Sequence, residues 1–269
     1  MPPATLRFSA NLGLLFTGLP LPDAIRAAAR AGFDAVECHF PRDIPAGEVR
    51  RALDETGLPM LSLNTSPGDR AAGEFGLAAL PGREAEARAA IAGAVDYAAG
   101  IGCPMVHVMP GIASGPQADR AFRANLAHAC DLAAPHEITV LIEPINPVDV
   151  PGYHLASLDH AAGLLRRLDR PNLRIMFDCY HIARISGGSG ADVLALFTAH
   201  RPDIGHVQFA AVPDRGEPDR GGLRYDRLLP AMAALGWTGA FGAEYHPRGG
   251  DTLAGLDWLA ALRAAMTRK

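Results

Sequence analysis

The feature that most restricts what this chain can fold into is a regular alternation. Short β-type runs are followed by Ala- and Leu-rich amphipathic stretches, with Pro or Gly at most of the joins. The β-type runs are Leu6 to Leu12, Ala35 to Phe40, Met60 to Thr65, Met105 to Met109, Thr139 to Asn146, Leu173 to Tyr180, Ile204 to Ala210 and Gly239 to Tyr245. The helical patterns after them are Asp23 to Ala31, Ala46 to Thr56, Arg83 to Gly100, Gln117 to Ala134, Leu158 to Asp169, Ala191 to His200, Tyr225 to Leu235 and Thr252 to Thr267. In the third helix, Ala87, Ile91, Val95 and Ala98 recur at three- and four-residue steps, a stripe suited to packing on a sheet. Eight such βα units in roughly 250 residues match a closed (β/α)8 barrel, and residues 1–269 read as one barrel domain. The competing architecture, a doubly wound open sheet, usually carries a Gly-rich turn after its first strand; the segment Asn11 to Phe16 lacks the G-x-G-x-x-G spacing. The long third connection, Ser66 to Pro81, is of a length that suits a lid.

A barrel hosts many chemistries, so composition is needed to narrow them. Of the 25 basic residues, 24 are Arg and one is Lys, and that Lys is Lys269. Schiff-base, pyridoxal-phosphate and P-loop chemistry each need an amine in a defined pocket, and a terminal lysine does not supply one. The formal charge of −4 gives no overall attraction to nucleic acid or anionic lipid, and no apolar run approaches a membrane span. No secretory segment follows the start, so the cytoplasm is the expected location. The separated cysteines Cys38, Cys103, Cys130 and Cys179 read as buried, reduced thiols. A homo-oligomeric assembly is compatible with all of this.

Charge then appears where strands should be apolar. In a barrel the residues at the C-terminal ends of the strands line the mouth that holds the active site. The fifth strand runs Val140-Leu141-Ile142 into Glu143, the sixth Ile175-Met176-Phe177 into Asp178, and the eighth Ala240-Phe241-Gly242-Ala243 into Glu244. Between them the seventh offers the amide oxygen of Gln208. Three carboxylates gathered in a low-dielectric mouth repel one another unless a cation joins them. An oxygen-dominated set of Glu143, Asp178, Gln208 and Glu244 suits a divalent metal of the Mg²⁺ or Mn²⁺ type better than zinc. His181, just beyond Asp178, can reach a substrate oxygen, and His206, two residues before Gln208, is placed to orient a ligand. His107 reads as a satisfied core histidine and Glu37 as a structural acid.

These residues lie in segments that resemble the hydroxypyruvate isomerase family, within the xylose-isomerase-like barrel superfamily that also holds ketose 3-epimerases and an abasic-site endonuclease. The resemblance spans nearly the whole chain. It is carried by Phe33-Asp34-Ala35-Val36-Glu37, Asn64-Thr65-Ser66-Pro67-Gly68-Asp69, Gly76 to Arg83, Leu141 to Asn146, Pro151-Gly152-Tyr153, Phe177 to His181, Gly205 to Gln208 and Gly242 to Tyr245. The resemblance implies that Glu143 and Glu244 are both the acid/base pair and metal ligands, with Asp178 and Gln208 completing the protein ligands. Gln208, where 3-epimerase relatives typically carry His, points to the hydroxypyruvate isomerase branch. Two positions near the substrate depart from the family pattern: Arg70 stands where an aromatic residue is usual, and Ala183 where Gln is frequent.

The implied reaction moves a carbonyl between adjacent carbons through an enediolate, with hydroxypyruvate and 2-hydroxy-3-oxopropanoate as the leading pair. A 2-dehydrotetronate (2-oxo-tetronate) isomerase or a ketose 3-epimerase uses the same proton transfer. A barrel that binds a sugar acid without turnover is the non-enzymatic alternative. For the carboxylate of a 2-oxo acid or sugar-acid substrate, Arg215 after the seventh strand is the favoured cation, with Arg70 and Arg248 as rivals. The lone Lys269 also removes the lysine that xylose isomerases proper use to assist a hydride shift, which favours proton transfer between paired carboxylates.

Overall fold

The computed structural model describes residues 6–41 and 43–265, so Lys269 and the end of the helix expected to reach Thr267 lie outside the described residues. Eight strands form a closed, all-parallel barrel in sequence order, β1-β2-β3-β4-β5-β6-β7-β8. They are β1 (Phe8–Asn11), β2 (Ala35–Cys38), β3 (Met60–Asn64), β4 (Met105–His107), β5 (Thr139–Ile142), β6 (Leu173–Asp178), β7 (Ile204–Phe209) and β8 (Phe241–Ala243). The barrel closes where Phe8, Ser9 and Ala10 of β1 pair with Phe241, Gly242 and Ala243 of β8.

The helices are α1 (Leu21–Arg30), α2 (Ala46–Thr56), α3 (Glu84–Ile101), α4 (Gly115–Ala133), α5 (Leu158–Leu168), α6 (Cys179–Ser186), α7 (Gly190–His200), α8 (Tyr225–Ala234) and α9 (Asp257–Ala265). None of them is long and apolar enough to cross a membrane. The stripe read from the third helical pattern is the buried face of α3: Ala87, Ile91, Val95 and Ala98 are each at most 1% exposed. All four cysteines are buried and unpaired.

The strands are shorter than their apolar runs for local reasons. Pro144 has no N–H to donate and sits just past β5, so Glu143 leaves the ladder as the strand ends. The expected sixth strand, Leu173 to Tyr180, stops at Asp178, whose Oδ1 accepts from Tyr180 N at 2.9 Å and so caps α6. This turns Cys179, Tyr180 and His181 onto a helix across the mouth.

The connection expected to be a lid is fastened over its second half. Leu77 N and Ala78 N donate to Met109 O, Ala79 N donates to Pro110 O, and Asn125 Nδ2 donates to Ala78 O at 2.9 Å. Gly76 makes this possible: its φ is +120°, and a Cβ there would lie 2.5 Å from Met109 O. The segment is hydrogen-bonded onto the chain just past β4 and forms a wall that brings Phe75 to the mouth.

An aromatic cluster joins α9 to the barrel. Trp258 meets Phe8, Phe209 and Tyr245 edge-on, and its Nε1 donates to Tyr245 Oη at 3.1 Å. Such pairs favour perpendicular rings because the positive edge of one meets the negative face of the other. The cluster anchors the backbone immediately after Glu244.

Candidate active site

A cavity of about 670 Å³ opens at the C-terminal ends of the strands, lined among others by His39, His107, Glu143, His181, Arg215 and Glu244. Glu143 and Glu244 line it, and Glu143, Asp178, Gln208 and Glu244 are all at most 7% exposed. Asp178 and Gln208 are direct partners in the β6–β7 ladder, so the backbone sets their separation.

The two glutamates stand in opposite electrostatic settings. Burial alone would raise the pKa of Glu244, but Arg215 and His39 overcome it and hold the carboxyl at about 2. Its Oε2 accepts from Arg215 Nη2 at 2.8 Å and its Oε1 from Asn11 Nδ2 at 3.0 Å. For Glu143 the balance runs the other way: burial, with the charges of Glu244 and Asp178 beside it, pushes it well above the usual carboxylate range, although Arg215 opposes the change. Burial likewise raises Asp178 to about 7, although Arg215 opposes the change. Carboxyl groups driven apart in this way are the usual signature of an acid/base pair.

Gln208 is oriented by Glu37. Its Nε2 donates to Glu37 Oε2 at 2.8 Å, which leaves Oε1 as the free end of the amide. Ser9 and Ser62 also donate to Glu37, and His206 Nε2 lies 2.9 Å from its Oε1 without the alignment of a hydrogen bond. His206 thus reaches a ligand candidate only through Glu37. Space is tight here: a Cβ on Gly242 would come within 2.3 Å of Glu37 Oε1.

His181 has a defined tautomer. Asn146 Oδ1 accepts from Val148 N and Asp149 N, so its Nδ2 is the atom 2.7 Å from His181 Nδ1, and an amide nitrogen there can only donate. Burial, reinforced by Arg215, lowers the ring to about 3, so it is neutral with its proton on Nε2. That N–H faces Glu143 Oε1 at 3.8 Å and Asp178 Oδ2 at 3.7 Å. Glu143, Asp178 and His181 are near enough to share an ion, but the tautomer makes His181 a donor rather than a ligand.

Three oxygens, Glu143 Oε1, Asp178 Oδ2 and Gln208 Oε1, are buried with no hydrogen-bond partner among the described residues. Unpaired buried acceptors are costly, and a hard divalent cation satisfies oxygens of this type. The donor set therefore fits the cation expected from the sequence.

Two readings change. His107 is not a satisfied core histidine: its Nε2 is unpartnered, its Nδ1 lies 3.7 Å from Glu143 Oε2, and burial lowers it to about 4. Arg215, expected at the rim as the counter-charge for a substrate carboxylate, lines the cavity but is also paired with an acid of the site. Its residue has φ +55°, and its guanidinium turns inward to Glu244, lies 3.7 Å from Asp178 and covers the Tyr180 ring. Arg70 also reaches the cavity wall, whereas Arg248 pairs with Asp214 and Glu217. Asn11, a polar residue ending a buried strand, carried the same signal as the acids and was readable. His39 and Asn146 lie at the ends of runs read as strands, and Asp149 follows them in sequence; the structure puts all three in loops, beyond the strand ends that marked the acids.

A closed parallel barrel with buried acids at its strand ends is the arrangement of the xylose isomerase-like TIM barrel, and the chain belongs to that family, whose model matches residues 25–262. Its relatives make it an isomerase. The chain is 45% identical over 258 residues to the 2-oxo-tetronate isomerase of Cupriavidus necator, covering 94% of this chain and 97% of that protein. It is 40% identical over 267 residues to the putative hydroxypyruvate isomerase of Homo sapiens, covering 95% of each. A crystal structure described as an AP endonuclease, family 2, from Brucella melitensis has a TM-score of 0.89 at 41% identity, covering 95% of this chain and 98% of that one.

Proposed function

We propose that the protein shifts the carbonyl of a short 2-oxo-3-hydroxy acid from C2 to C3 by proton transfer between Glu143 and Glu244. The observation that carries this is geometric: the buried Glu143 and Glu244 both line the cavity, beside three buried oxygens of Glu143, Asp178 and Gln208 that have no hydrogen-bond partner among the described residues. The carboxylate facing C3 removes a carbon-bound proton, the electrons form the C2–C3 enediolate, and the carboxyl group facing C2 returns a proton there. The hydroxyl proton moves from the C3 oxygen to the C2 oxygen, so atoms and charge balance. A positioned base of this kind contributes roughly 10² to 10⁴ in rate.

Glu143, Asp178, Gln208 and Glu244 would hold a divalent cation, Mg²⁺ or Mn²⁺ by the hardness of their oxygens. Bound there, it supplies Lewis-acid stabilisation of the enediolate charge. The Nε2–H of His181 donates to a substrate oxygen, and Arg215 balances the acids while offering its outer N–H groups to the substrate carboxylate. Phe75 and Tyr180 line the cavity and limit water around the enediolate.

Hydroxypyruvate leads in the sequence reading; here 2-oxo-tetronate is placed first, because the relatives at 45% and 41% identity are named 2-oxo-tetronate isomerases and the one at 40% a putative hydroxypyruvate isomerase. The endonuclease reading fares worse, since a chain of net charge −4 with acids at its mouth repels a phosphate backbone. Solvent-deuterium incorporation into 2-oxo-tetronate, hydroxypyruvate and free ketohexoses tests the proposal. Incorporation is expected into the short acids, with 2-oxo-tetronate fastest and at least a 100-fold loss in Glu143→Gln and Glu244→Gln. Incorporation into ketohexoses alone, or none that depends on the glutamates, overturns it.

A further inference from the structure

Outside the cavity, three side chains from different segments converge near the start of α5. Asp119 is in α4, His160 is in the first turn of α5, and His154 precedes that helix. One donor atom from each lies within 4.8 Å of the others. His154 is the informative member, because its side chain is only 4% exposed. Its Nδ1 is 3.3 Å from Ala113 O, and a carbonyl only accepts, so Nδ1 carries the proton and Nε2 presents a lone pair. That Nε2 lies 3.3 Å from Asp119 Oδ1, yet it has no hydrogen-bond partner among the described residues. Two acceptors facing each other at this distance need a proton or a metal ion between them.

The rest of the setting favours the ion. His154 is held edge-on by Phe122, with ring centroids 5.5 Å apart, and by His160 at 5.4 Å. Ser157 Oγ accepts from His160 N at 3.2 Å, which fixes His160 in the opening turn of α5. His160 Nε2 lies 3.8 Å from the same Asp119 Oδ1. A backbone carbonyl on the far nitrogen of a histidine is the usual means of aiming a ligating imidazole.

We propose that Asp119, His154 and His160 form a second metal site, for a borderline transition-metal ion such as Zn²⁺ or Co²⁺, distinct from the oxygen-lined site at the mouth. Two imidazoles and one carboxylate, with water completing four-coordination, suit such ions better than Mg²⁺. The ion joins α4 to α5 and the β5–α5 loop, beside the point where Ile112 bridges Tyr153 and His154 N donates to Gly111 O.

Co²⁺ titration of the purified protein, followed by visible absorption and bound-metal analysis, tests this. Wild type is expected to bind one more equivalent of Co²⁺ than His160→Ala, with tetrahedral-type bands absent from that variant. His154→Gln is expected to match it, and a folding defect there leaves the partly exposed His160→Ala decisive. Micromolar Zn²⁺ is expected to raise the Tm of wild type by several degrees more than that of His160→Ala. Equal stoichiometry, spectra and Zn²⁺ response in wild type and His160→Ala overturn the proposal and leave a proton as the species between His154 and Asp119. A Glu143→Gln control, which alters only the mouth, distinguishes loss of that site from loss of this one.

Discussion

At the scale of single residues, the mouth stores electrostatic cost in Asp178. Its folded-state pKa of about 7 lies above the ordinary value of 3.8, so the group destabilises the metal-free fold as pH rises through that interval. Below the lower value the carboxyl is protonated in both states and contributes nothing. Asp178→Asn keeps a side-chain oxygen to cap Tyr180 N while removing the charge. In metal-free protein it is expected to match wild type at pH 3 and exceed it at pH 8, by on the order of 4 kcal/mol. Denaturant unfolding at the two pH values checks this, and equal stabilities at pH 8 would contradict it. Glu143, Asp178 and Glu244 were legible because a carboxylate ending an apolar strand breaks the pattern. The inward turn of Arg215 was not, because it depends on a left-handed backbone at Arg215 and on Tyr180 having moved from a strand to a helix. Nor was the grouping of Asp119, His154 and His160, which the sequence spreads over two helices and the loop before the second.

At the scale of elements, the β3–α3 connection works as a wall because Gly76 lets its backbone meet that of Met109 and Gly111. Gly76→Ala imposes a strained φ and a backbone clash, a class of change that costs on the order of 1–3 kcal/mol. It should release Phe75 and Arg70 from the cavity edge. The expected result is a lower Tm and a KM for the short acid raised several-fold, with kcat changed less; a variant with wild-type KM would show that the wall does not shape the binding site. The eight-fold alternation made the barrel legible, since each apolar run could pack only against its neighbours. Strand ends were overestimated where a proline or a capping aspartate stops the ladder, as at Pro144 and Asp178.

At the scale of the whole molecule, the barrel is closed by strand ladders and an aromatic seam, and Asp178 and Gln208 enter those ladders through their backbones rather than through the side chains that would hold a metal. Chelation by EDTA is therefore expected to abolish isomerisation while leaving the far-ultraviolet circular dichroism unchanged, with Mn²⁺ or Mg²⁺ restoring activity. Full turnover in rigorously metal-free protein would count against the oxygen-lined site. The seam has a further consequence for how the chain is made. Asn11 and Glu244 touch although 233 positions separate them, and β1 pairs on one side with β8. On a ribosome, β1 waits beside β2 with its other edge unpaired until almost all the chain has emerged, and only then can Trp258 cover Phe8. An unpaired strand edge recruits other chains. Slow late elongation should thus lower the soluble yield, and a chaperone that shields β1 during synthesis should restore it.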